Sequence, residues 1–272
     1  MGLMWFRIKI SLILIAFALS AVALVSYVSD SRYFGSLAAE IIGNDTLTEK
    51  ETFERFVQFA FEELRQASYE ELPSLWHKLY YKYNPFHPSA RDVVKYGGHH
   101  TGSCGSYSRV VVALLSQVDI PARVMILRDE NDRSLHAVVN ARIDGRWRVA
   151  DPLYGIVFTK PDGGLATADD LRKDRDLFLA NANRNPSYPI DVFTYDNFAL
   201  MNWRKIPVVL PAVREVLAAA IGEQRTASIA RPRIWMYPLA AFALLFTIFV
   251  AVFVAAVEAG RALVRAKRRR HG

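Results

Sequence analysis

The sequence predicts an α+β domain held between two membrane-spanning helices. Two observations lead to this fold class. The 272-residue chain has one long uncharged apolar run near each end, and the segment between them shows helical patterns first and strand patterns second. Helices and strands that are segregated along a chain are typical of α+β domains. A segment of about 200 residues is long enough for one hydrophobic core, so we expect a single domain.

The apolar runs occupy residues 10–29 and 234–257, and neither contains a charged residue. Each is as long as the roughly 20 helical residues that cross a bilayer. The first run could instead be a cleaved signal peptide, because Arg7 and Lys9 precede it and Ala21–Ala23 resembles a cleavage site. Its length exceeds that of a usual signal-peptide core, which favours an uncleaved signal anchor.

The distribution of charge predicts the orientation of the chain. The two tails carry eight of the 34 basic and one of the 27 acidic residues, which leaves 26 of each in residues 30–233. Because basic flanks stay in the cytoplasm, residues 1–9 and the basic tail 258–272 are predicted to be cytoplasmic, and residues 30–233 extracytoplasmic. The basic excess therefore indicates topology and contact with membrane lipid, and no nucleic-acid partner is predicted.

Helical patterns dominate the first half of the central segment. Thr48 and Glu51 form a capping-box pattern, and a helix with a phenylalanine stripe in the core is predicted from Glu49 to about Ala67. Residues 82–92, which contain two prolines, are predicted to be a loop. Further helices are predicted at Tyr69–Tyr81, at 106–118, from Thr167 to 182, and at Pro211–Ile221.

Two strand-like runs follow the helices, at residues 122–128 and 134–155. The second run contains Asp144-Gly145, a strong signal for a two-residue hairpin turn. In that register the numbers of opposed residues add to 289.

This register places His136 and Asp151 on one face of the sheet, as diagonal neighbours about 7–8 Å apart at the backbone. A slip of one residue would put them on opposite faces. Val149 and Trp147 share their face and are expected to flank the site.

The only cysteine, Cys104, lies in the stretch Gly102–Ser108 at the predicted start of a helix. An internal disulfide is therefore excluded. The positive end of a helix dipole favours a thiolate, and Gly102 and Gly105 leave room for a substrate beside the sulfur. A buried, inert thiol is the alternative, but this position favours a nucleophile.

A cysteine nucleophile needs a base, and the base needs an orienting group. His136 and Asp151 supply both and come in that order after Cys104. We therefore predict a catalytic triad of Cys104, His136 and Asp151.

The stretch from Gly102 to Gly155 resembles the core of the transglutaminase-like superfamily. The matching motifs are Gly102-Ser103-Cys104, Asp119-Ile120-Pro121-Ala122-Arg123, His136, Asp144-Gly145-Arg146-Trp147 and Asp151-Pro152. The resemblance implies a papain-like fold in which the nucleophile helix packs on an antiparallel sheet. It also implies Cys104 as nucleophile, His136 as general base and acid, and Asp151 as the residue that orients the imidazole. An additional oxyanion donor is usual in the family, and the candidates are Trp76, Tyr83 and Tyr96.

The predicted function is that of a membrane-anchored thiol enzyme for amide or peptide hydrolysis, or for acyl transfer, in the cell envelope. Its expected location is the bacterial cytoplasmic (inner) membrane, with a periplasmic catalytic domain, both termini in the cytoplasm and a peptide or amide substrate. The alternative is a non-enzymatic binding or assembly module of an envelope complex, for example one for polysaccharide export. Protein partners are not predicted.

A metal site is a third interpretation, because three histidines lie near Cys104 in the sequence. They are His87, His99 and His100. Their spacing matches no familiar zinc pattern, and no calcium loop is recognisable. No metal or cofactor is therefore predicted.

Overall fold

The computed structural model describes residues 2–66, 90–96, 104–203, 209–230 and 238–270. Contacts divide the chain into two units, Met1–Asp30 with Tyr237–Gly272, and Ser31–Met236. Helices combine with an antiparallel sheet, and an apolar helix stands at each end of the chain. The predicted α+β fold class is therefore confirmed.

Among the described residues, helices come first along the chain and the strands follow them. The first half contains α1 (Gly2–Ile42), α2 (Glu49–Gln66), α3 (Ala90–Tyr96), α4 (Cys104–Leu115), β1 (Ala122–Arg128), β2 (Ser134–Ile143) and β3 (Arg146–Asp151). The second half contains β4 (Ile156–Val157), α5 (Ala168–Lys173), α6 (Arg175–Ala182), β5 (Phe198–Ala199), α7 (Val209–Ile221), α8 (Glu223–Ala227) and α9 (Pro238–Arg270).

The terminal unit is an antiparallel pair formed by α9 and the first part of α1. Lys9 Nζ lies 2.5 Å from Glu258 Oε1, and the hydroxyl oxygens of Ser20 and Thr247 are 3.1 Å apart. Both pairs of residue numbers add to 267, so the helices run antiparallel. By length and composition the stretches Arg7–Ile42 and Ala243–Ala262 could each cross a membrane.

The helix α2 has the predicted cap and the predicted buried stripe. Thr48 N donates to Glu51 Oε2 at 2.9 Å, and Glu51 N donates to Thr48 Oγ1 at 3.3 Å. These reciprocal hydrogen bonds satisfy backbone groups that have no partner inside the helix. The buried residues are Phe53, Phe56, Val57, Ala60 and Leu64.

The helix α4 forms as predicted and is buried along nearly its whole length. It lies against β1 and β2, and Ser108 Oγ donates a 3.0 Å hydrogen bond to the carbonyl oxygen of Ala137 on β2. A 3₁₀ turn at Ser116–Val118 ends it. The left-handed backbone of Asp119, with φ of 57°, then turns the chain into β1.

The sheet has the strand order β4-β3-β2-β1-β5, with every neighbouring pair antiparallel. Val139 pairs with Ala150 across the β2–β3 hairpin, which is the predicted register. Asp144 and Gly145 both have positive φ, 49° and 75°. Two such residues make the primed turn whose twist matches a two-residue hairpin.

One hydrophobic cluster packs strands β1 to β4 against α5, α6 and the segment that follows them. Its members include Met125, Leu127, Val138, Val149, Ile156, Phe158, Leu171 and Phe178. The strand residues in this set share the face of His136, since Leu127 pairs with His136 and Met125 with Val138. The side chains of His136 and Asp151 therefore project from the face of the sheet that packs against this cluster.

Two predictions of local structure were wrong. Residues 90–92 were assigned to a loop but begin α3, because Ala90, Val93 and Tyr96 are buried at helical spacing. The single helix predicted from Thr167 is divided into α5 and α6 at Asp174, whose backbone is extended and whose carboxylate caps Leu177 N at 2.9 Å. Aspartate favours such caps over helix interiors.

The remaining differences concern short elements and helix ends. The strands β4 and β5 contain two residues each, too few for a periodic pattern. The helix α7 begins at Val209, two residues before the predicted Pro211, and a short α8 follows Gly222. The helix predicted at Tyr69–Tyr81 lies outside the described residues.

Gly155 lies in the turn after β3 and packs against Phe61 of α2, so this position should not tolerate a side chain. Its φ is +67°, and an added Cβ would lie 2.7 Å from Cγ of Phe61. We expect Gly155→Ala to lower the free energy of unfolding by about 2 kcal/mol or more, because backbone strain adds to overpacking. Thermal unfolding of the full chain in detergent measures this.

Gly163→Ala is the matched control for Gly155→Ala. Gly163 also has positive φ, +80°, but among the described residues beyond its chain neighbours an added Cβ would have no atom within 4 Å. It should therefore show only the backbone cost. Equal destabilisation by the two substitutions would mean that the contact with Phe61 is unimportant.

Candidate active site

Cys104 is the first residue of α4 and is partly exposed. A Cβ built on the next residue, Gly105, would have no atom of another described part of the chain within 4 Å. The buried Arg109 braces this first turn, because its Nε donates to the carbonyl oxygen of Gly105 at 3.0 Å and its guanidinium to Ser106 Oγ at 3.1 Å. The thiol thus sits on a turn that Arg109 holds in place.

His136 and Asp151 are brought together as the hairpin register predicts. The distance between His136 Nε2 and Asp151 Oδ2 is 2.6 Å, and both side chains are at most 1% exposed. A hydrogen bond between ionisable groups is short and strong when water is excluded. Because Nε2 is committed to Asp151, Nδ1 is the ring nitrogen that remains for Cys104.

The environment favours the protonated form of His136. Burial by itself lowers the pKa of the imidazole. The charge and hydrogen bond of Asp151, together with those of Cys104, raise this pKa by more than burial lowers it. The pKa of His136 consequently rises from 6.5 to about 9. An imidazolium beside a cysteine side chain is the arrangement that stabilises a thiolate.

The carboxylate of Asp151 is fixed from two sides. Oδ2 faces His136, while Oδ1 accepts a 3.2 Å hydrogen bond from Leu153 N. The carbonyl oxygen of Asp151 also accepts from Tyr154 N at 3.3 Å. The turn after β3 therefore sets the direction in which Asp151 points.

Aromatic side chains surround His136, and sequence reasoning did not find them. Phe193 stacks on the imidazole with ring centroids 4.1 Å apart and planes inclined by 9°. Tyr154 approaches it at 5.9 Å, and Tyr188 in turn packs edge-on against Tyr154 at 4.8 Å. Tyr154 follows the predicted hairpin directly, but no motif connects residues 188–195 with a histidine more than 50 positions earlier.

Tyr188 and Tyr195 are buried near Asp151 and stay protonated. Burial, and then the charges of neighbouring groups including Asp151, raises the pKa of both hydroxyl groups. Their hydroxyl oxygens lie close enough to interact with each other. Within the described part of the chain, neither makes a hydrogen bond of good geometry.

Trp147 shares the face of His136 but does not flank it. It pairs with Arg142 in the hairpin, and the guanidinium of Arg123 lies 3.8 Å from its ring centroid. Its position lies four residues before Asp151, which corresponds to about 13 Å of strand. Val149, the other expected neighbour, is a fully buried member of the hydrophobic cluster.

The other candidate residues from the sequence are only partly covered by the structure. Tyr96 is buried at the end of α3, whereas Trp76 and Tyr83 lie outside the described residues. The histidines of the metal interpretation, His87, His99 and His100, also lie outside them. Among the residues that are described, no group of three His, Cys, Asp or Glu side chains could hold a metal ion.

Comparison with known proteins identifies the family of this core. Residues 39–152 match the transglutaminase-like superfamily, and this range includes Cys104, His136 and Asp151. The resemblance inferred from the motifs is therefore confirmed over these residues.

One solved structure is also similar. It is a candidate cysteine protease from Cytophaga hutchinsonii, 17% identical, with a TM-score of 0.31. The match covers 50% of this chain and 40% of that chain. No curated protein matches the sequence significantly.

The raised pKa of His136 predicts how stability changes with pH. The pKa is higher in the folded protein than the 6.5 of an unfolded chain, so the folded state binds more protons between pH 6.5 and about 9. We expect the free energy of unfolding to be highest below pH 6.5 and to fall towards pH 9, by at most about 3 kcal/mol. Chemical unfolding across this range measures the decline.

His136→Gln is the control for this pH dependence. The variant should be less stable at low pH and should show a much flatter profile, because the titrating imidazole is gone. An equally steep decline in His136→Gln would assign the effect to other groups.

Proposed function

We propose that this chain is a membrane-anchored thiol enzyme that hydrolyses amide or peptide bonds through an acyl-enzyme at Cys104. The observation that carries the proposal is the buried 2.6 Å pair of His136 and Asp151, with the imidazole also hydrogen-bonded to the Cys104 side chain. This arrangement contains a nucleophile, a base and an orienting group in the order that thiol catalysis needs.

The first half-reaction forms a thioester. His136 Nδ1 accepts the proton of the Cys104 thiol, and Sγ attacks the carbonyl carbon of the substrate. The carbonyl oxygen takes up the negative charge. When this intermediate collapses, the bond between carbon and nitrogen breaks, and the imidazolium gives its proton to the departing amine.

The second half-reaction regenerates the enzyme. His136 removes a proton from water, the hydroxide oxygen attacks the thioester carbon, and the proton returns to Sγ as the acid leaves. An amine in place of water would give a new amide, which is the transferase outcome. We favour hydrolysis, because nothing in the sequence indicates a binding site for a second amine.

Asp151 and the helix start have supporting roles in this mechanism. Asp151 holds the imidazole by Nε2, so that Nδ1 faces the sulfur, and its charge stabilises the imidazolium. The first backbone N–H groups of α4 have no carbonyl partner within the helix. They are the natural donors for the oxyanion of the intermediate.

Alkylation of Cys104 by iodoacetamide tests the proposal directly, because the chain contains one thiol. At pH 6 an ordinary thiol with a pKa of about 8.5 is only about 0.3% ionised. We expect the folded protein to react on the order of 10²-fold faster than the unfolded chain, and His136→Gln to lose most of this gain. Asp151→Asn should lower it as well.

Asp162→Asn is the matched control for Asp151→Asn, since Asp162 is exposed and only caps Gly164 N. It should react like the parent protein. Alkylation no faster than in the unfolded chain, or equally fast in His136→Gln, would contradict the enzymatic proposal. Hydrolysis of envelope peptides by the parent, and not by Cys104→Ser, would then define the substrate.

We also propose that the first part of α1 and α9 anchor the protein in a bacterial inner membrane with residues 30–233 in the periplasm. The two helices have the required length and composition, and their antiparallel pairing agrees with two termini on one side. The central segment has equal numbers of acidic and basic residues, whereas the tails are basic.

Single-cysteine labelling tests this topology. In a Cys104→Ser background, Thr46→Cys, which is exposed between α1 and α2, should react with a membrane-impermeant maleimide in spheroplasts. Gly272→Cys should react only after lysis. The reverse pattern, or labelling of both positions before lysis, would contradict the proposed orientation.

A further inference from the structure

Phe193 stacks in parallel on His136 and lies outside the residues that match the superfamily. We propose that Phe193 is a positioning residue, which holds the imidazole plane in line with Cys104 and Asp151 and stabilises its protonated form. This inference rests on the proposed function and adds a residue from outside residues 39–152, the range that matches the superfamily.

The geometry of the stack restricts rotation of the imidazole. The two rings are nearly parallel, with 9° between their planes and 4.1 Å between their centroids. The edge of the imidazole is bound to Asp151, and Tyr154 approaches it at an inclination of 53°. A turn of the imidazole about its bond to Cβ would press it into the phenyl face, so Nδ1 stays directed at Cys104.

The charge of the imidazolium also favours this contact. The face of an aromatic ring carries partial negative charge and attracts cations. Among the described residues, the titratable groups around His136 are Asp151 from β3, Cys104 from α4 and Tyr154 after β3, and Tyr188 and Tyr195 lie near Asp151. The pKa of each tyrosine is raised, so these hydroxyls stay neutral at physiological pH. Phe193 thus adds to the attraction that Asp151 and Cys104 exert.

The segment that carries Phe193 is itself well anchored. Phe193 N donates to the carbonyl oxygen of Pro189 at 3.0 Å, and the guanidinium of Arg175 donates to the carbonyl oxygen of Ile190 at 3.0 Å. Tyr188 and Tyr195, on either side, belong to the buried cluster beneath the sheet. Phe193 therefore presents a fixed ring face.

The test compares Phe193→Leu, Phe193→Tyr and the parent protein as full chains in detergent. The pKa of His136 is read from the NMR signals of isotope-labelled histidine, assigned by their loss in His136→Gln. Removing the ring face should lower the pKa of His136 by about half to one unit. Phe193→Tyr keeps the ring and should match the parent.

Phe198→Leu is the matched control. Phe198 is also partly buried and packs against the same cluster, but it belongs to β5, where it pairs with Leu127. It should leave the pKa of His136 unchanged, even if it lowers the melting temperature.

Three outcomes would overturn the inference. They are an unchanged pKa of His136 in Phe193→Leu, a shift in Phe193→Tyr as large as in Phe193→Leu, or the same shift in Phe198→Leu. Failure of the proposed function looks different, because the parent protein itself would then be alkylated no faster than the unfolded chain. The pKa of His136 is measured independently of any activity.

Discussion

The hydrogen bond between His136 and Asp151 depends on the register of one hairpin. Asp144 and Gly145, both with positive φ, close the turn with two residues, and every pair beyond it follows. A loop longer by one residue would shift the pairing and turn one of the two side chains to the other face of the sheet. The hydrogen bond of His136, its raised pKa and the stacking of Phe193 would then be lost together.

Packing makes this geometry rigid. On the face of His136, the strands pack against α5, α6 and the aromatic segment that carries Tyr188, Phe193 and Tyr195. The helix α4, which begins with Cys104, is attached to β2 through Ser108 and is buried along nearly its whole length. Interiors packed at this density deform little, so the start of α4 holds Cys104 at a fixed position relative to the sheet. The proposed thiol chemistry requires this, because small displacements between Cys104 and His136 would be costly.

The terminal unit is a pair of apolar helices joined by polar contacts. In the proposed membrane location, the two apolar helices gain little from hydrophobic contact, so polar contacts between them matter more. The Lys9–Glu258 ion pair stands near the predicted cytoplasmic end, and the contact between Ser20 and Thr247 lies deeper. Glu258, the single acid of the two tails, is thus neutralised by a neighbouring helix.

The sequence by itself determined the elements whose signals are local. A capping box and a phenylalanine stripe located α2, an apolar run located α4, and Asp144-Gly145 determined the hairpin that unites His136 with Asp151. Motif order then identified the family. Only the tertiary structure decided the division of α5 from α6, the two-residue strands, and the position of Phe193 beside His136. A two-residue strand exists because a neighbour pairs with it, and a contact between residues 57 positions apart depends on how the intervening chain packs. Neither leaves a local signal in the sequence, whereas a turn, a cap and a helix face do.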